Sequence, residues 1–216
     1  MNWLKSLNQP LHMIALEGWY KLFGSFRQKE KIGLLQPRPS YAYGMLKAAD
    51  IAKWQGKSAV TVCEFGVSMG AGFMAMIELK ELIEKETGVE VRVVGFDHGE
   101  GLPEFDGYKD HPELWAPGDF AMANMDEIKR KIQGKADLII GDVEDTIDDF
   151  TKTLSADAPL GFASIDVDLY SAAKSSLRVF EGPPEAYTPG VSVFLDDVSM
   201  YFANRWCGDR GVQRRA

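Results

Sequence analysis

The sequence predicts a doubly wound (Rossmann-like), mostly parallel α/β domain. Three observations predict it. Near-continuous apolar, β-branched runs of strand length recur along the chain, stretches with helical spacing separate them, and most of the runs close on a glycine or an acid. A length of 216 residues suits one such domain and is short for two.

The elements follow in order. After the turn-like QPRPS, the stretch SYAYGMLKAADIAKWQ carries apolar residues at helical spacing, with Ser40 placed as its N-cap. SAVTVCEFG is a β-branched run ending on Gly66, and AGFMAMIELKELIEKETG is a helix closed by Gly88. VEVRVVGFD reads as the second strand, followed by the irregular GEGLPEFDGYKDHPELWAPGDF. MANMDEIKRKIQG is a helix, ADLIIGD a strand and EDTIDDFTKTL a helix. GFASIDVD is the fourth strand, SAAKSSLRVFEG the next helix and GVSVFLDDV the fifth strand.

Composition excludes several classes. A net charge of −8, with RGVQRRA as the one dense basic run, argues against a nucleic-acid surface, which needs clustered Lys and Arg. No stretch approaches the roughly 18 apolar residues that span a bilayer, so no stable membrane insertion is expected. Two cysteines, Cys63 in an apolar run and Cys207 near the end, make neither a disulfide framework nor a zinc site, and the expected compartment is the cytoplasm. The aromatic opening segment suits an arm packed on its own domain or on a second subunit, and a homo-oligomer is expected.

In doubly wound sheets the ligand lies beyond the carboxyl ends of the strands, so the polar strand endings belong together. EFGVSMGAG sets Glu64, Gly66, Gly70 and Gly72 at a strand-to-helix turn, where glycine lets the backbone approach a ligand. It is not GxGxxG, and WQGKS is not a phosphate-binding loop. Asp97 ends a strand where an acid can accept both hydroxyls of a ribose, which fits an adenosine; a turn or capping aspartate fits the same position. Asp142 either caps the following helix or receives an adenine amino group.

Asp166 and Asp168 stand two apart, as on one strand face, and Asp196 and Asp197 end the neighbouring strand. Carboxylates gathered this way repel unless a cation unites them, and Mg²⁺ takes carboxylate and water oxygens. Pairing with Lys174 or Arg205, or helix capping, is the bland alternative. SAAK lacks the partner motifs of penicillin-recognising enzymes, and the three histidines have no metal-ligand spacing.

EFGVSMGAG, GFDHGEGLPE, GDVEDTI, IDVDLYSAAKSSL and TPGVSVFLDDV, in this order and spacing, resemble the TylF-type (macrocin O-methyltransferase-like) enzymes. These are class I methyltransferases that use S-adenosylmethionine (SAM) and a divalent metal. The resemblance runs from about Tyr41 to the end, leaving residues 1–40 as a helical arm and 41–216 as the methyltransferase domain. It implies a sheet ordered 3-2-1-4-5-7-6, with Glu64, Gly66 and Gly70 at the methionine end of SAM, Asp97 at the ribose and Asp142 near the adenine. It implies Asp166, Asp196 and Asp197 as Mg²⁺ ligands, with Asp166 or Asp168 taking the proton of a small hydroxylated acceptor such as a sugar. Trp115, Phe120, Tyr170, Tyr201 and Trp206 would wall the acceptor. The chain departs from the pattern at His98 and Gly99, which replace a Thr-Phe pair, and in stopping before the closing antiparallel strands. A fragment, or a sheet edge covered by a partner, is expected from that stop. A related metal-dependent hydroxylase and a non-catalytic SAM-binding scaffold are the competing expectations.

Overall fold

A computed structural model of the chain describes residues 10–35 and 38–196. Helices α1 (Leu11–Phe23) and α2 (Phe26–Lys31) precede α3 (Pro39–Trp54). The alternating part then runs β1 (Ala59–Phe65), α4 (Ala71–Thr87), β2 (Glu90–Asp97), α5 (Met125–Ile132), β3 (Asp137–Ile140), α6 (Val143–Thr153), β4 (Leu160–Ile165), α7 (Tyr170–Ser176) and β5 (Tyr187–Leu195). The five strands are parallel in the order β3-β2-β1-β4-β5, so the direction of winding reverses at β1. This is the predicted Rossmann-like α/β sheet.

The central strand explains why a hydrophobic run without alternation was needed. Every residue of β1 is buried, because helices cover both faces. Val60 and Val62 enter one core with Met45, Phe73 and Met76, while Cys63 and Phe65 enter the other with Phe96, Ile147 and Phe150. Phe65 stacks on Phe96 at 4.6 Å between ring centroids, and Phe150 meets Phe96 edge-on. The two-residue period places Glu64 on the face of Val60 and Val62, beneath α3. Its register partners on either side are Gly95 and Ser164.

Ser40 is not the cap of α3. That helix begins at Pro39, whose fixed φ suits the first turn, and Arg38 is its N-cap. Arg27 ties α2 to the domain, donating to both carboxylate oxygens of Asp50 at 2.8 Å and to Glu86 at 2.7 Å. Strand β5 starts at Tyr187, before the expected Gly190. A register shift between Leu160 and Phe162 accommodates Pro189, which has no N–H for the ladder. The helix expected to reach Gly182 ends at Ser176 and tightens into a 3₁₀ turn, Leu177–Phe180. There Tyr187 intervenes: its hydroxyl accepts from Gly182 N and donates to the Val179 carbonyl.

Candidate functional site

The strand tips are held level by ladder bonds that outlast the strands. Gly141 N donates to the Asp97 carbonyl, Gly66 N to Phe96, Asp166 N to Phe65 and Asp196 N to Ile165, all between 2.9 and 3.1 Å. The first residues beyond β3, β1, β4 and β5, with Asp97 at the end of β2 among them, therefore stand in a row. A cavity of about 380 Å³ opens over them, lined by Glu64, Gly66, Asp97, Asp142, Asp166 and Asp168 among others.

The glycine loop forms its floor. Gly66 has φ +88°, and a Cβ there would lie 1.9 Å from the Asp166 carbonyl oxygen, so no other residue fits. Gly70 caps α4 in the left-handed region, and its neighbours Met69 and Ala71 line the cavity. A Cβ on Gly72 would lie 2.0 Å from Glu64 Oε1; glycine there makes room for the acid. Ser68, itself at φ +48°, donates its N–H to Asp97 Oδ2 at 2.7 Å, and Gly99 N donates to Oδ1 at 2.7 Å. Asp97 is thus oriented by two loops, with a lone pair left on each oxygen. Asp142 caps α6, accepting from Glu144 N at 2.8 Å, and lines the cavity as well. The two readings of Asp142 are compatible.

Glu64 is 1% exposed, and only one of its oxygens is satisfied. Oε1 accepts from the Tyr41 hydroxyl at 2.7 Å, and that hydroxyl in turn accepts from Ser164 Oγ at 2.7 Å and from Arg38 Nη1 at 3.3 Å. Oε2 is buried with no partner. Burial pushes the Glu64 carboxyl up to about 8, and the nearby Asp166 and Asp97 charges push the same way against Tyr41 and Arg38. A group left in this condition is one that a cationic ligand would complete.

Strand β4 ends at Ile165, so Asp166 and Asp168 do not share a strand face as their spacing implied; Asp168 sits in a bend before α7. The chain has to leave the sheet there to enter the helix. Asp166 accepts from Arg38 Nη1 at 3.1 Å and lies within hydrogen-bonding reach of the Asp196 carboxyl. Partial burial, then the Asp196 contact, push the Asp166 carboxyl up to about 6 against the pull of Arg38. Asp197 lies outside the described residues, as do Tyr201, Arg205, Trp206 and Cys207. Among the described residues no group of three or more His, Cys, Asp or Glu side chains is placed to hold a metal ion. Two of the three predicted ligands, Asp166 and Asp196, do come together.

Arg38, Tyr41 and Ser164 were not singled out from the sequence. Arg38 sat unremarked inside the turn-like QPRPS, and Tyr41 and Ser164 looked like ordinary helix and strand positions. His98 lines the cavity with Nδ1 unpartnered, and Phe120 lines it with Trp115 packed against its ring at 5.4 Å. Tyr170 lies away from the cavity lining, under the Lys109 ammonium.

Fold and site together define a Rossmann-like α/β protein with a ligand cavity at the switch point of its sheet. The chain matches no family model and no curated protein sequence. It is similar in structure to the calicheamicin methyltransferase CalS11, with TM-score 0.62 and 19% identity over 96% of this chain and 79% of that one. It is likewise similar to the O-methyltransferase NovP, with TM-score 0.54 and 19% identity over 82% of this chain and 71% of that one. The fold is shared with these enzymes. No helix among the described residues is long and apolar enough to cross a membrane.

Proposed function

We propose that the protein is a SAM-dependent O-methyltransferase of the TylF type, acting on a hydroxyl of a small molecule such as a sugar or another natural-product group. One observation carries this reading. Glu64 is a buried acid with an unsatisfied oxygen, and it stands in the same cavity as a glycine cradle and an oriented strand-end aspartate. The residues fit the donor. Glu64 offers Oε2 to the ammonium of the methionyl end, the loop around Gly66 and Gly70 lets the backbone close on it, and Asp97 offers its two spare lone pairs to the ribose hydroxyls. Asp142, which lines the same cavity, would meet the adenine. The fold shared with CalS11 and NovP accords with this reading.

SAM supplies a methyl group already activated on a sulfonium, so the protein's task is to align an oxygen with it and remove that oxygen's proton. Asp166 lines the cavity and would take the proton through an oxygen that the cation leaves free. Asp166 would accept the acceptor's hydroxyl proton, and bound SAM would supply the methyl and be left as S-adenosylhomocysteine (SAH). Asp168 orients the acceptor from the bend. Asp166, Asp196 and Asp197 would hold a divalent cation such as Mg²⁺, which supplies acidity to a bound hydroxyl. Phe120 and Trp115 offer an apolar wall on the acceptor side.

The test is methyl transfer from radiolabelled SAM to a panel of sugars, glycosylated natural products and phenols, with Mg²⁺ or with chelator. Labelled product with stoichiometric SAH, lost in Asp166→Asn, is the expected result. Micromolar SAM binding without turnover on any acceptor would overturn the catalytic reading, and absence of SAM binding would overturn all of it.

A further inference from the structure

The charge of the cavity is lopsided. Glu64, Asp97, Asp142, Asp166 and Asp168 line it, and among the described residues Arg38 is the one Lys or Arg side chain that does. Arg38 arrives from outside the alternating part of the chain, at the N-cap of α3, and its side chain is 31% exposed. Among the described residues its hydrogen bonds run through Nη1 alone, to Asp166 Oδ2 and to the Tyr41 hydroxyl. A guanidinium has five N–H donors in a planar fork, so those on Nε and Nη2 remain for whatever enters. Through the shared Tyr41 hydroxyl Arg38 is also one hydrogen bond from Glu64, whose Oε2 has no partner.

A cavity with several carboxylates and one guanidinium matches a ligand with several positive groups and one negative. SAM is such a ligand, with a sulfonium, an ammonium and a single carboxylate. We propose that Arg38 binds the α-carboxylate of the methionyl end while Glu64 takes its ammonium, so that the two side chains together read an amino-acid zwitterion. The proposal rests on the SAM reading above. It gives the segment before α3 a role in binding the donor, and it gives Arg38 a role beyond neutralising Asp166.

The experiment is calorimetric titration in chelator at pH 7.5 with two ligands: SAH, and 5′-methylthioadenosine, which keeps the nucleoside and lacks the amino-acid end. Wild-type protein is expected to prefer SAH strongly. Arg38→Gln is expected to lose about 10- to 100-fold in SAH affinity, the range for a charge-assisted hydrogen bond, and to keep its methylthioadenosine affinity within about twofold. Arg38→Lys restores part of the loss, since a point charge replaces the fork. Equal weakening of both ligands, the mark of a merely structural role beside Asp166, overturns the proposal and leaves the SAM reading standing. So does an unchanged SAH affinity. A wild-type protein that binds both alike overturns this proposal alone, and one that binds neither overturns the SAM reading with it.

Discussion

At Glu64 the fold holds a buried carboxyl group at the cavity wall, and one of its oxygens has no hydrogen-bond donor among the described residues. That arrangement has a measurable cost. In the unfolded chain the group ionises near its ordinary value of 4.5, and in the fold it keeps its proton until about 8. Between these values the unfolded state gives up a proton that the native state retains, so this group's contribution to stability falls as pH rises from about 4.5 to 8 and is fully lost above that. At 1.36 kcal/mol per pH unit the loss over this window is about 5 kcal/mol at most. Glu64→Gln keeps an acceptor for the Tyr41 hydroxyl and removes the ionisation. Ligand-free Glu64→Gln is expected to melt several degrees above wild type at pH 8.5 and to match it near pH 5, while binding SAH more weakly at both. Asp166 shifts in the same direction but is present in both proteins, so the comparison isolates Glu64. A variant that melts below wild type at pH 8.5 would show that the carboxyl is not strained in the fold.

At the scale of elements, α3 is the piece that completes the site, and Tyr41 is how it is fastened. Its ring meets Phe162 and Phe194 edge-on, and its hydroxyl joins Glu64, Ser164 and Arg38. Tyr41→Phe keeps the ring contacts and leaves Ser164 Oγ and Glu64 buried without their partner, at a cost of about 1–3 kcal/mol. The expected fall in Tm is roughly 2–10 °C for a chain of this size. Adding Ser164→Ala recovers part of it, because one of the orphaned groups is then gone. No recovery in the double variant would mean that the hydroxyl network is not what α3 rests on. The same element shows what could be read in the sequence. The inner strands β2, β1 and β4 are legible because a parallel sheet covered on both faces leaves near-continuous apolar runs, and the acids at the strand tips are legible because that topology gathers carboxyl ends. Arg38 and Tyr41 are not, since their partners Asp166 and Ser164 lie 128 and 123 positions away and nothing in the local pattern announces the pairing. The end of β4 at Ile165 is hidden for a related reason: where a strand yields to a bend is set by the helix the chain must enter.

For the whole molecule, the net charge has the same sign as the cavity wall. The chain carries −8, and among the described residues carboxylates outnumber the one guanidinium in the cavity wall. Such a field attracts cations toward a cleft and is screened by salt, with a Debye length of about 10 Å at 0.1 M. SAM and SAH test it cleanly, because they differ by the methyl and its positive charge: at neutral pH the donor carries a net positive charge and the product is a neutral zwitterion. The association rate of SAM, followed by stopped-flow fluorescence in chelator at pH 7.5, is expected to fall several-fold between low salt and about 0.5 M. That of SAH is expected to change little. The donor would then be drawn in by a field that the product, once its charge has been spent in methyl transfer, no longer feels, and exchange of product for fresh donor would be favoured at low ionic strength. Parallel salt slopes for the two ligands would mean that the acids act only at contact distance and that the long-range field has no part in loading the site.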